Sequence, residues 1–431
     1  MNSFLKRREM LKIIAVGASF VAGCTGEGDK NECELELNES IQANLGSDLE
    51  DGWWPHVGGN MIGNNENRNA KIDPSIIKPV WETKLPIKTA HFLRPLVRNG
   101  VAYAGWRTFS GEGSLHAIDI ENGVEKWSYR HQPGGLLPGS VTENSIYVGS
   151  VDGMHVIDIE NGELIWSFKP EGEFVFFGGI GTNENLYVFG RTNGIKDYFY
   201  KVNPQTREIE WEFNSENISG RFSIMGDSVY IISGNKIYRL LESDGSIVWS
   251  FDMESQYAGD QIIAEGNEVY VTALSEDSET VMSLKIFAID RKCGEGIWSI
   301  RERVEYSTWG GMALDEERVY VSLFNDNSAK LFAVKREDGT KMWKLNSEDE
   351  NFASPEWSNP IIAGDKIYMG EIKRKPNRED ISNIYCINKN DGTVYKKLKL
   401  GNAPNYFDAP VVVAAKESIY GLYGGQIVAI R

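Results

Sequence analysis

Residues 117–127 read AIDIENGVEKW and residues 156–166 read VIDIENGELIW. How this repeated phrase is read decides the fold. It opens on a short apolar run suited to a strand, passes through Asn122-Gly123, and ends on Trp127. An Asn-Gly pair supplies the positive φ that a tight turn needs. The small Ala117 lets a neighbouring aromatic ring approach, and Trp127 offers a large flat surface for packing between adjacent sheets. The slot of Trp127 is filled again by Trp166, Trp211, Trp249, Trp298 and Trp343. Arg207 stands where Gly is expected in the third copy, and Lys396 stands in the Trp slot of the seventh. A phrase that repeats this way is architecture rather than a site.

Working outward, a tyrosine flanked by strand-forming residues recurs as Tyr103, Tyr147, Tyr187, Tyr230, Tyr270, Tyr320, Tyr368 and Tyr420, at gaps of 44, 40, 43, 40, 50, 48 and 52 residues. That period belongs to propeller blades. Each copy is preceded by one apolar run and followed by another strand-like pentad, so each unit reads as four short strands between Gly, Asn and Asp clusters. The eighth unit stops at Arg431 without an outer strand or its Trp, while KPVWETKLP at 78–86 is a spare strand that carries Trp81. The expected fold is therefore all-β: an eight-bladed propeller of four-stranded antiparallel blades over residues 53–431. Its N-terminal strand completes the last blade and removes free sheet edges.

The bulk numbers agree with a globular chain. Of 431 residues, 41% are apolar and 44 are glycine, and the formal net charge is −17. Such a balance argues against non-specific binding to nucleic acid or to an anionic membrane surface. Residues 24–52 are acidic and lack aromatics, so this segment cannot bury enough apolar area to offset its ordering entropy and reads as a disordered tether. Ahead of it, Arg7 and Arg8 precede the short apolar run IIAVGASFVAG, too short and too rich in small residues to cross a membrane. With Cys24 set apart by its place at the end of that run, Cys33, Cys293 and Cys386 form an odd set far apart in sequence, with no CxxC among them. That pattern predicts neither a disulfide framework nor a zinc ribbon.

Candidate chemistry is sparse. His116 and His155 occupy the pentad column that holds Tyr200, Tyr238, Phe287, Phe332 and Tyr385 elsewhere, so both are expected to pack rather than to ligate. The Asp/Asn clusters at 275–279 and 324–328 lack a complete calcium spacing, and no metal is expected. Long segments at 106–114, 273–283 and 370–382 fall on the face opposite the short ENG-type turns, and length gathered on one face marks a binding face. The segments leading into the inner strands lie on that face too. They carry His91, Arg94, His131, Phe176, Arg221, Tyr257, Asp260, Gln261, Trp309, Trp357, Asn359, Tyr406 and Asp408, which would ring a central funnel. Aromatics among a few polar groups suit capture of a ligand or peptide, or they plug the channel mouth. A basic cluster, Lys373, Arg374, Lys375 and Arg378, would meet an acidic partner or form a solvated loop.

Two resemblances add to this reading. The start of the chain resembles a twin-arginine export signal, and VAGC at 21–24 resembles a lipobox. That implies a signal peptide over 1–23, lipid on Cys24, and an exported protein anchored at the outer face of the cytoplasmic membrane. Sequons at Asn38 and Asn217 are compatible with export. The Ala-Gly-Trp phrase resembles the tryptophan-docking motif of the pyrroloquinoline-quinone (PQQ) repeat propellers, and WPHVGGN at 54–60 is similar to the start of many of them. The resemblance to BamB-type lipoproteins implies a monomeric docking scaffold for protein partners, without a cofactor. The resemblance to PQQ-dependent alcohol or sugar dehydrogenases implies instead a quinone held with calcium at the funnel, with Asp260, Asn359 and Asp408 as pieces of the ligand and base set. A carbohydrate-binding or sensor module at the cell surface is a third reading.

Overall fold

The computed structural model describes residues 53–54, 56, 63, 65–75, 77–86, 91–92, 94–108, 111–132, 134–172, 174–194, 196–255, 257–278, 281–305, 309–324, 329–347, 353–374, 380–402 and 409–431. The signal, Cys24 and the tether lie outside them. Every regular element among the described residues is a strand. The strands form eight antiparallel blades, and the first seven are wound outward in sequence order, as in Leu137–Val141, Ser145–Gly149, Met154–Asp158 and Leu164–Phe168 of the second blade. Two blades carry extra short pieces: His91–Phe92 joins the first and Glu66–Asn67 joins the seventh.

The repeated phrase folds as its residues dictate. Tyr103, Ala117 and Trp127 sit opposite one another on three neighbouring strands, and the tyrosine and tryptophan rings meet over the alanine at 5.9 Å. The same ladder recurs as Tyr270–Ala288–Trp298 and Tyr320–Ala333–Trp343. After the ladder, Asp119 caps the turn by accepting at Oδ1 from the amides of Glu121 and Asn122 (3.0 and 3.3 Å), and Gly123 takes a φ of 76°. Each tryptophan then reaches into the next blade. Trp127 Nε1 donates to Ile159 O at 3.0 Å, and its ring lies over Gly162 of that blade. Trp211, Trp249, Trp298 and Trp343 repeat the pair of contacts, donating to Glu242, Arg291, Arg336 and Lys389 and covering Gly245, Gly294, Gly339 and Gly392.

Both departures from the phrase have structural consequences. At the third blade Arg207 takes φ 65°, and its guanidinium sits 5.5 Å from the centre of the Trp166 ring. A cavity of about 420 Å³ opens there, lined by Trp166, Pro204, Gln205, Asn183 and Tyr147 among others. At the seventh blade Lys396 does the work of the missing indole, donating from Nζ to Ser75 O at 3.1 Å.

Closure follows the sequence expectation. The last blade consists of Val411–Ala415, Ser418–Tyr423, Gln426–Ile430 and, outermost, the N-terminal strand Pro79–Lys84. Trp81 completes the ladder with Ala429 and Tyr420, then donates to Ile120 O at 2.8 Å and covers Gly123 of the first blade. Apolar cores lie between neighbouring blades, for example Leu96, Tyr103 and Leu115 against Val141, Ile146 and Val148. All eight repeat tyrosines are buried there.

Two expectations need correction. The segments at 273–283 and 370–382 are largely hairpin rather than loop. Glu268–Ser278 pairs with Val281–Asp290 as far as Ser278 opposite Val281, and Lys366–Arg374 pairs with Ile381–Asn388. Alternating residues such as Val281-Met282-Ser283-Leu284 let the strands run on past the blade's usual height. Lys373 is accordingly buried within its strand, whereas Lys375 and Arg378 lie outside the described residues. The cysteines also form a cross-link: Cys293 is disulfide-bonded. Cys386 is free and buried.

Candidate functional site

The inside of the ring is lined by the chain's own N-terminal segment. Trp54, fully buried, bridges Val97 on the inner strand of the first blade, and His56 bridges Ser140 on that of the second. Asn65 Nδ2 donates to Met312 O of the sixth blade, and Glu66–Asn67 pairs in parallel with Ile361–Ala363 of the seventh. Asn67 Nδ2 donates to Ala414 O of the eighth at 2.9 Å. The side-chain amides matter because an inner strand leaves one row of backbone groups unpaired, and buried polar groups require partners. Arg68 reaches outward to Glu66, Glu265 and Glu316.

Burial sets the electrostatics of this segment. His56 is lowered to about 3, first by desolvation and then by the charge of Arg98, so it is held neutral. Glu66 is raised to about 7 by burial, against the opposing pull of Arg68. Arg94 donates to Asn65 Oδ1, and it is lowered to about 9 by burial and by the charge of Arg221.

The residues expected at the funnel divide into three groups. Arg94, Gln261, Trp357 and Asn359 are engaged within the protein. Gln261 is buried and accepts at Oε1 from the amide of Met312. Trp357 is buried and donates from Nε1 to Glu371 Oε1 at 3.1 Å. Glu371, itself fully buried, also accepts from Asn383 (2.9 Å) and Tyr385 (3.1 Å) and pairs with Lys397 at 3.1 Å. Asn359 lies against Gly311 of the neighbouring blade, where any larger residue would collide with it. Arg221 is exposed on Ile218–Met225. For the third group, the backbone of His91, Phe176, Tyr257, Asp260 and Trp309 is in strands at the heads of their blades, and Tyr406 and Asp408 lie outside the described residues.

Glu371 and the lining segment escaped the sequence reading. Nothing local distinguishes a buried carboxylate on a strand, although Trp357, Asn383, Tyr385 and Lys397 fall at corresponding heights of one blade. His155 was expected only to pack. It is buried, but it shares a carboxylate with His131.

An eight-bladed propeller latched by tryptophan on glycine, with its own N-terminal segment along the inner strands, defines the class of protein. The chain belongs to the family described as outer membrane protein assembly factor BamB, a PQQ-repeat family whose model matches residues 57–167 and 196–420. No curated protein matches it. Among solved structures it is similar to the quinohemoprotein alcohol dehydrogenase of Comamonas testosteroni, at 13% identity and TM-score 0.65, over 92% of this chain and 82% of that one. A quinohemoprotein alcohol dehydrogenase from Pseudomonas putida HK5 aligns at 13% identity and TM-score 0.64, over 92% and 83%. BamB from Moraxella catarrhalis aligns at 12% identity and TM-score 0.54, over 83% of this chain and 100% of that one. At these identities the likeness is one of fold.

A quinone held with calcium would need carboxylate and amide oxygens converging at the channel. Of the residues that the resemblance would assign to such a site, Asn359 is turned against Gly311, the backbone of Asp260 lies in Tyr257–Glu265, and Asp408 lies outside the described residues.

Proposed function

We propose that this chain is an exported, lipid-anchored propeller that serves as a non-catalytic docking scaffold for protein partners, working as a monomer. One observation carries the reading: Trp54, His56, Asn65, Glu66 and Asn67 of the N-terminal segment meet the inner strands, and Arg94 donates to Asn65 there. These contacts commit part of the inner wall to architecture, which supports a scaffold over a substrate site. What remains for recognition is the face bearing the extended hairpins at 268–290 and 366–388, whose height above the blades suits contact with a macromolecule. The proposed anchor and address rest on Arg7, Arg8 and Cys24, which support a position at the outer face of the cytoplasmic membrane.

The test pairs an enzymatic assay with cross-linking. Full-length protein mixed with PQQ and calcium should neither retain quinone through dialysis nor reduce dye with alcohols or aldose sugars. A photo-reactive residue at position 276 should capture protein partners in the native membrane, and Trp309→Ala should weaken that capture with unchanged thermal unfolding. A quinone complex that reduces dye and is lost in Asp260→Ala or Asp408→Ala overturns the scaffold reading.

A further inference from the structure

We propose that His131, Asp152 and His155 form a binding site for one divalent transition-metal ion of the zinc class, stapling the first blade to the second. His131 ends the outermost strand of the first blade, Glu125–His131. Asp152 lies in the short turn before Met154–Asp158 of the second blade, and His155 is the second residue of that strand. Their ligand atoms lie within 4.8 Å of one another, and among the described residues this is the one His/Cys/Asp/Glu group so arranged.

The geometry is more specific than proximity. Both imidazoles aim the same atom at the same oxygen: His131 Nε2 lies 2.8 Å and His155 Nε2 3.0 Å from Asp152 Oδ1. A tetrahedral shell with bonds of about 2.0–2.1 Å separates its ligand atoms by roughly 3.3 Å. A few tenths of an ångström of spreading would therefore admit an ion. Without metal, both rings donate N–H to the carboxylate. With metal, both Nε2 lone pairs and the carboxylate bind the ion, and each ring carries its proton on Nδ1.

The surroundings allow that exchange. His155 Nδ1 lies 2.7 Å from Ser167 Oγ, a hydroxyl that donates to a bare nitrogen and accepts from a protonated one. Partners of this kind orient metal-ligating histidines and fix their tautomer. The Tyr129 ring stacks on His131 at an interplanar angle of 12°. His155 is 4% exposed, His131 13% and Asp152 34%, so the ion would enter from the Asp152 side and water would complete its shell. Two imidazoles and one carboxylate suit zinc, cobalt, nickel or copper rather than calcium, which prefers oxygen ligands.

The test uses untagged full-length protein stripped with chelator and titrated with zinc. Bound metal is counted by elemental mass spectrometry, and cobalt substitution reports the shell through its visible absorption. The expected result is one zinc per chain, a zinc-dependent rise in melting temperature, and visible cobalt bands. His131→Asn and Asp152→Asn, both at partly exposed positions, should each weaken zinc binding at least tenfold and abolish the zinc-dependent melting rise. Their metal-free melting should stay close to that of the wild type, and Ser167→Ala should weaken binding less. Absence of stoichiometric zinc at micromolar concentration, or undiminished binding in either ligand variant, overturns the proposal. If a variant fails to fold, protection of His131 from diethyl pyrocarbonate by zinc in the wild type decides: protection supports the site, and its absence overturns it.

Discussion

Trp127 lies so close over Gly162 of the neighbouring blade that a Cβ at that glycine would stand 2.5 Å from the ring. Gly162 also holds φ 77°, a region costly to other residues. Gly162→Ala must therefore displace a packed indole and strain the turn, and it should cost about 2–4 kcal/mol. Arg207→Gly, at the one turn that lacks this glycine, loses a cation–π contact but relieves a left-handed arginine, two terms of about 1 kcal/mol each. Denaturant midpoints should therefore fall clearly for the first substitution and hardly move for the second. Equal losses would show that the glycine serves only the turn.

Ring closure is tested by deletion. Removing 72–86 takes away the outer strand, the Trp81 latch and the Lys396 partner Ser75 together. It leaves the edge of Gln426–Ile430 bare and uncovers Gly123 of the first blade, so the product should aggregate or unfold without cooperativity. Light scattering and thermal melts would show this; a deletion mutant as stable as the wild type refutes N-terminal closure.

His56 predicts a pH dependence. Its folded value is about 3 against the ordinary imidazole value of 6.5. Between those values the unfolded chain binds a proton that the folded chain excludes. Stability is therefore whole above about pH 6.5 and lost as pH falls toward 3. From pH 7.5 to 4.5 the loss from this group is about 2–3 kcal/mol. Glu66 acts in the opposite sense: raised to about 7, it favours the fold below its unfolded value and loses that contribution as pH rises toward 7. It is common to both proteins in a comparison with His56→Gln, whose chemical denaturation should show the smaller acid loss. Parallel curves would mean that His56 is protonated in the fold.

Anchoring and cross-linking are tested together. Cys24→Ser should free the protein from membranes, and paired Arg7→Lys and Arg8→Lys should retain precursor in the cytoplasm. Peptide mapping without reductant should find Cys293 in a disulfide and Cys386 as a free thiol. A Cys24→Ser protein that still sediments with membranes contradicts the lipid anchor.

The ring itself was legible because its contacts are made by neighbouring repeats. Tyr103, Ala117 and Trp127 lie within one unit, and Gly162 occupies the same slot one unit on. Even the exceptions, Arg207 and Lys396, stood out against the repeat. Their consequences did not, because a cavity beside Trp166 and a bond to Ser75 depend on where side chains settle. The lining segment was hidden for another reason. Asn65 and Asn67 meet Met312 and Ala414, about 250 and 350 residues away, and a repeat pattern says nothing of a strand that belongs to no repeat. The pairing of His131 with His155 crosses a blade boundary. His155 alone fills a slot that aromatics fill elsewhere, and His131 reads as part of the funnel, which conceals the pair.

The strand that seals the last blade is among the first to leave the ribosome. Lys84 pairs with Gln426 and Pro79 with Ile430, so a strand made early must wait for a partner about 350 residues later in the chain. At typical elongation speeds that interval is roughly 20–70 s. Throughout it Trp81 has no sheet to join, and the blades already made form an open arc with a bare edge. The last blade owes its outer strand to a join between segments made far apart in time, and a chaperone that covers Trp81 during synthesis would protect a part of the ring that waits long for its partner.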